Sequence, residues 1–258
     1  MSNLMLAWPN LADSAALSSG SWSAGLPLNN LKNRLISKAA RSTNALAAST
    51  KFDADLGEAM AINAVGLIGT NLTTAATYRI RGASDAGFTS VLHDSGTVSA
   101  ATQTPNLIHA ITAAITARYW RVELTDTANP AGYVQAGRLF IGAGWQAAVN
   151  ASFGTGLGYE SATVMEQSLG GVDYPDKRTP RRVFRFDLDW LTDAEAYTQV
   201  LAMQQQLDVW GEVLLIADPA DTTYRQQRNF LARMRQLSAV EAPYAVAKKT
   251  AYELLEII

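Results

Sequence analysis

Two stretches of regular alternation constrain this chain more than anything else in it. In residues 118–124, Tyr119, Arg121 and Glu123 fall on one side and Trp120, Val122 and Leu124 on the other. In residues 183–190, Phe184, Phe186, Leu188 and Trp190 alternate with Arg185, Asp187 and Asp189. A period of two is the period of a strand, whereas a helix would scatter these side chains around its circumference. Both stretches therefore predict strands with one buried and one wet face, with Trp190 among the buried residues. Shorter runs at 61–68, 77–83, 90–93 and 133–141 are broken by Gly and polar turns, as in an antiparallel β-sandwich.

The two halves of the 258 residues follow different patterns. Residues 1–143 are rich in Ala, Ser, Thr, Asn and Gly and carry 10 basic and 8 acidic residues. Residues 144–258 carry 11 basic and 15 acidic residues. The composition shift, with Gly142-Ala143-Gly144 as a hinge, predicts two domains, 1–143 and 144–258. In the first, Leu28, Leu31 and Leu35 predict a short helix capped by Asn29 or Asn30. In the second, strands are expected at 146–153 and 159–167 around the Gly-rich hairpin turn 154–158. A charged loop follows at 170–180. Thr192-Asp193-Ala194-Glu195 is a capping box that starts a helix near 193–208, its stripe made by Tyr197, Val200, Leu201 and Leu207 and its end at Gly211. Strands are expected at 212–217, 225–237, 245–249 and 252–258, with a helix the alternative for 225–237.

Composition narrows the chemistry. An apolar fraction of 48% and a charged fraction of 17% describe a chain that builds a core. A net charge of -2 gives no field toward nucleic acid or anionic lipid. Cysteine is absent, which excludes thiolate catalysis and Cys-ligated metal. The first residues lack the basic start and apolar run of a signal peptide, and no stretch reaches the roughly 18 apolar residues of a membrane span. His93 and His109 are the two histidines, and neither has a partner at metal-ligand spacing. No nucleophile elbow, phosphate loop or dinucleotide fingerprint occurs. Asp53 with Asp55, and Asp187 with Asp189, share strand faces; paired glycosidase carboxylates normally come from different elements across a cleft. A solvated, charge-paired face is the expected reading. Arg225, Arg228, Arg233 and Arg235 come without an aromatic stacking platform for nucleic acid. No enzyme activity, cofactor or metal is expected.

Three patterns in the first half resemble the discoidin-like, or galactose-binding-like, jelly-roll family. They are 17–22 leading into Leu26-Pro27-Leu28-Asn29-Asn30-Leu31; 40–44 leading into the strand that ends in Asp55-Leu56-Gly57; and the closing strands 117–122 and 137–142. The resemblance implies ligand contact by loops at one end of a sandwich, which makes Trp22, Asn29, Arg41, Asn44 and loop 125–132 the candidates. The second half resembles tail structural proteins of long-tailed bacteriophages, and the whole chain resembles their distal tail proteins, with the decoration placed before the tube-like part instead of after it. The fold implied is mainly β: a jelly roll followed by a tail-tube-like β-barrel or sandwich with one helix.

On that resemblance the leading function is a virion structural protein, a ring subunit of the tail tip or baseplate that joins the tail tube to the hub. The ring is a hexamer first and a trimer next. Its other partners would be the tape-measure protein and DNA passing through an acidic lumen without being held. Asp173, Lys177, Arg178, Arg185, Asp187 and Asp189 are the candidate subunit interface. The alternative is a module that binds host-surface glycan, with a glycan hydrolase behind it.

Overall fold

The computed structural model describes residues 2–244 and 246–258, so Ala245, at the start of one expected strand, lies outside the described residues. Two compact units emerge, one from residues within Met1–Gln146 with Leu214–Phe230, the other from Ala147–Val213 with Leu231–Ile258. The chain is mainly β, and its strand pairs are antiparallel.

The first unit holds β1 (Met5–Ala7), β2 (Ala16–Ser18), β3 (Ala40–Arg41), β4 (Phe52–Ile68), β5 (Thr77–Ala83), β6 (Val91–Asp94), β7 (Val98–Ser99), β8 (Leu107–Thr125), β9 (Gln135–Ala136), β10 (Arg138–Gly142) and β11 (Gly144–Gln146). Its main sheet runs β10-β4-β8-β5-β6, with β2 also on β4 and β7 also on β5. The expected strand at 61–68 is the end of the much longer β4. Between Asp55 and Met60 the ladder with β8 shifts register, and Gly57 takes φ +84 while its N–H is held by Asp55. The irregularity lets one strand bend and still keep its inner face apolar.

Alternation in β8 is realised as read. Trp120, Val122 and Leu124 are buried in a cluster with Phe52, Ile62 and Tyr78. Each fully buried side chain of this size contributes about 1.5–3 kcal/mol. Asn10 ties the start of the first unit to β10: its amide donates to Leu139 O at 2.9 Å and accepts from Ile141 N at 3.1 Å. β1 pairs with β11, and also with residues 214–216 of β16, a strand introduced below.

The expected helix at 28–37 is a 3-10 turn, Leu28–Lys32, entered through Pro27 with no side-chain cap. Neither Asn29 nor Asn30 caps it; Asn30 donates instead to Ala39 O at 3.0 Å. Leu28 and Leu31 are buried whereas Leu35 is exposed, so the apolar spacing serves a single turn.

Beyond residue 146 come β12 (Gly156–Glu160), β13 (Val164–Gln167), β14 (Asp173–Asp176), β15 (Arg181–Leu191), β16 (Val213–Ile216), β17 (Asn229–Met234) and β18 (Lys248–Glu256). The second unit's ladder sets β15 between β12 and β18, with residues 232–234 of β17 on the far side of β18. It is an open sheet with β12 at its edge, where a barrel was one expectation. Gly156 and Gly158 lie inside β12, so the expected turn ends before them; only Gly154, at φ +103, has turn geometry. Segment 170–180 is no plain loop: β13 and β14 form a separate two-stranded hairpin. Residues 225–228 form one helical turn and 229–234 a strand, so both readings of that region hold in part.

Trp190 corrects a core assignment. Phe184, Phe186 and Leu188 are buried, but Trp190 is 56% exposed and Leu191 takes the inner place at 1%. The ladder to β18 slips between Leu188 and Leu191, and one extra residue in a strand inverts every facing after it.

The capping box forms. Thr192 Oγ1 accepts from Glu195 N at 3.2 Å, and the Glu195 carboxylate accepts from Thr192 N and Oγ1 at 2.9 Å each. The helix opens with wide π-type turns, Glu195–Val200, and continues as Leu201–Leu207. Its buried stripe is Ala196, Val200, Met203 and Leu207, while Tyr197 and Leu201 face out. Asp208, at φ 49, ends it three residues before Gly211.

Candidate functional site

One end of the first unit gathers three of the four candidate ligand residues. Ser19 and Gly20 both take positive φ; a Cβ on Gly20 would lie 2.1 Å from Lys51 O, so glycine is required there. This turn delivers Trp22 to an isolated β-bridge with Ser42. The indole donates to Ser19 O at 3.2 Å and packs edge-on to Phe52 with centroids 6.0 Å apart. Trp22 is thus a wedge of the sandwich and not a free platform.

Arg41 is the centre of the group. β3 pairs with β9, placing Arg41 opposite Gln135. Its Nε and Nη2 donate to Gln135 Oε1 at 3.2 and 2.9 Å, and the guanidinium lies 4.1 Å from the centroid of the Tyr133 ring. Such stacking holds both planes and is worth about 0.5–1 kcal/mol where exposed. Asn44 accepts from Leu46 N at 2.9 Å and starts the helical turn Ala47–Thr50. Asn29 stays exposed on its 3-10 turn and is not joined to this network.

Loop 125–132 is knotted from within. Asp126, 4% exposed, accepts from Thr73 N at 2.9 Å, Thr73 Oγ1 at 2.8 Å and Asn129 Nδ2 at 2.8 Å. Asn71 donates to Tyr133 O at 3.1 Å and accepts from Gln135 N at 2.7 Å, so it fixes the backbone on which Tyr133 and Gln135 stand. Sequence reasoning missed Asn71, Tyr133 and Gln135; the one local signal was Tyr133 directly after Gly132. Together these groups offer a planar cation, an aromatic and amides, with no acid–base pair among them. That chemistry suits hydrogen bonding and stacking with a neutral polar ligand.

The carboxylate pairs are occupied. Asp53 meets Arg121 Nε at 2.5 Å and Nη2 at 2.8 Å, and Asp55 meets Arg118 at 2.7 and 2.9 Å. Burial opposes ionisation of Asp53, but hydrogen bonds from Arg121 and Ser19 outweigh it and hold its carboxyl below the usual range. Arg118 does the same for Asp55. In the second unit, Asp189 takes the Ser152 hydroxyl and Lys249 at 3.1 Å, and Asp187 lies 3.8 Å from Lys249. Arg185 pairs with Glu253 at 2.9 Å and Arg178 with Asp176 at 2.8 Å. Gln167 donates to Asp173 at 3.2 Å, while Lys177 is exposed. Among the described residues no group of three metal-ligating side chains occurs, and no helix is long and apolar enough to cross a membrane.

No protein-family model and no curated protein matches the chain. Solved structures show distant likeness. The lectin domain of lectinolysin complexed with Lewis B antigen is 16% identical, covers 54% of this chain and 98% of its own, and has a TM-score of 0.40. Chitosan-binding module 1 from a Paenibacillus sp. IK-5 chitosanase/glucanase is 18% identical over 53% of this chain and 100% of its own, at 0.41. A family 89 glycoside hydrolase from Clostridium perfringens is 13% identical over 53% of this chain and 15% of its own, at 0.40. None of these three is a tail component, and likeness of this strength leaves function open.

Proposed function

We propose that this chain is a non-enzymatic assembly protein of a virion tail tip, whose second unit packs against further copies or neighbouring tail proteins while the first presents a jelly roll. The distribution of exposed apolar side chains carries this reading. Of 23 large apolar side chains exposed among the described residues, 18 belong to the smaller second unit. Scattered exposure is ordinary, but concentration of this kind marks a surface made to be covered. Phe153 and Leu169 are fully exposed, and Val164, Met165, Val172 and Tyr174 stand out on the β13–β14 hairpin. β12 adds an edge strand bearing Leu157 and Tyr159, and such an edge invites another strand. The sequence resemblance to distal tail proteins supplies the rest: a ring, hexameric first, between tube and hub.

Sedimentation velocity of the full chain tests this. Self-association that weakens at least tenfold in a Leu169→Glu, Tyr174→Glu double variant is expected. A monomer at high micromolar concentration, with cryo-EM of the virion placing no copy at the tail tip, would sink the proposal.

The Arg41–Tyr133–Gln135 arrangement favours a second reading, host-surface glycan recognition by the first unit. The sequence resemblance to galactose-binding-like modules makes neutral sugars the ligand class. Glycan-array binding lost in Tyr133→Ala but kept in Asn29→Ala is the expected pattern. No binding to any neutral glycan would remove this reading and leave the assembly role intact.

A further inference from the structure

A second polar cluster lies away from the loop end, inside the first unit. His109 of β8, half-buried, packs against the Tyr78 ring at 6.0 Å and the His93 ring at 5.8 Å. Beside it a cavity of about 110 Å³ opens between β8 and residues 216–229. Its wall is mixed: Val98, Ile108, Ala110, Ile216 and Pro219 form an apolar side, and His109, Asp221, Arg225 and Asn229 a polar one.

Arg225 stands out in this cavity. Arg79, Arg81, Arg118, Arg121, Arg138 and Arg228 of this unit each meet a carboxylate, whereas Arg41 is held by Gln135 and the Tyr133 ring. Arg225 meets no carboxylate among the described residues: its Nε donates to the Asp221 carbonyl at 2.8 Å, and it also reaches the Tyr78 hydroxyl. Asp221 lines the same cavity, yet its carboxylate is committed to Thr223 N, Tyr224 N and Arg228 Nη1 at 2.8, 3.0 and 2.9 Å. A partly buried cation without a carboxylate of its own lacks the counter-charge that would offset its desolvation.

We propose that this cavity binds a short-chain organic carboxylate, the anion meeting Arg225 and the hydrocarbon tail lying against Val98, Ile108, Ile216 and Pro219. The volume admits a molecule of a few carbons and excludes a sugar ring with its hydroxyls. One cation matches a monoanion; a phosphate dianion would call for a second cation, and Arg225 is the one cation of this lining. A metal ion is disfavoured because the one carboxylate of the lining is already neutralised by Arg228. His109 supports the assignment: burial, with the fields of His93 and Arg225, pulls its pKa down to about 4, so the ring is neutral at physiological pH. A bound anion at Arg225 would relieve part of that field and raise the value. The inference does not rest on the assembly reading.

The full chain, titrated with sodium butyrate, sodium acetate and inorganic phosphate, gives the test through the imidazole NMR signals, assigned with a His93→Gln variant. Butyrate should shift the His109 signal saturably, with a Kd on the order of 1 mM. Acetate, lacking two methylenes, should bind about tenfold more weakly. Arg225→Gln should abolish saturation, and so should Ala110→Leu, which fills the cavity and keeps the cation. The proposal fails if butyrate gives no saturable shift, if phosphate binds as well as butyrate, or if binding survives in either variant.

Discussion

Gly82→Ala tests the packing of the first unit's main sheet where a glycine faces a buried indole. Gly82 of β5 sits directly across from Trp120 of β8 and from His93 of β6. The indole crosses the space that a side chain would fill: an added Cβ would lie 3.0 Å from Cη2 and 3.2 Å from Cζ2 and Cζ3 of Trp120. Trp120 is 1% exposed, so it has nowhere to swing. The backbone at Gly82 does not have a positive φ, and alanine there would stiffen the unfolded chain for a gain of about 0.4–1 kcal/mol. Overpacking costs about 1–3 kcal/mol, so the net loss should be about 1–2 kcal/mol. Hydrogen exchange of β5 and β8 amides reads this locally, which matters in a chain of two units where one global transition is not assured. Gly158→Ala is the control: no atom lies within 4 Å of its Cβ, and it should be neutral or slightly stabilising. In Gly82→Ala with Trp120→Phe, the six-membered ring that clashes is gone, so the pair should couple by about 1 kcal/mol. Gly82→Ala as stable as the parent, with zero coupling to Trp120→Phe, would refute the reasoning.

Two further outcomes follow. His109 is held neutral by burial, with a folded pKa of about 4 against an ordinary value near 6.5, so the unfolded chain binds more protons between those limits. Stability of the first unit should therefore fall as pH drops from 6.5 toward 4, by up to about 3 kcal/mol, and a pH series of chemical denaturation should flatten over that window in His109→Gln. Thr192→Ala removes the hydroxyl that accepts from Glu195 N and donates back to its carboxylate, and should cost about 1 kcal/mol, read as lost amide protection in the first helical turns.

Elements whose signal is local were legible in the sequence. The alternation of β8 placed Trp120, Val122 and Leu124 correctly, and the capping box named the helix start to the residue. What failed depended on a phase set elsewhere. Trp190 lies on the alternation begun at Phe184, but the slip against β18 turns it outward, and nothing within 183–191 announces a bulge. Of the helix stripe read as Tyr197, Val200, Leu201 and Leu207, Val200 and Leu207 are buried, but wide opening turns bring Ala196 and Met203 inward in place of Tyr197 and Leu201. At the loop end, the resemblance pointed to Trp22, Asn29, Arg41 and Asn44, of which Asn29 lies apart, while Tyr133 and Gln135 arrive from more than ninety residues away through the β3–β9 pairing. Separation of that length leaves no local trace.

The two units also differ in how they settle their surfaces, and this bears on function more than either fold does. In the first, Arg118, Arg121, Arg79 and Arg81 clamp Asp55, Asp53, Asp94 and Glu123 across neighbouring strands, and Arg121 also covers Phe88 at 4.1 Å. Its outer sheet face is thus closed by its own side chains, which is why both ligand proposals for this unit fall elsewhere, at the loop end and in the His109 cavity. In the second, the β13–β14 hairpin carries apolar side chains on both strands, and Trp190 stacks on Tyr244, both remaining exposed. Burying each such side chain is worth about 1.5–3 kcal/mol, an unspent driving force that association would release. A hairpin like this has little to hold it in isolation, since two strands alone are marginal in water. Its apolar strands acquire a stabilising role once another surface covers them, and that is the physical ground for reading the second unit as a part made for assembly.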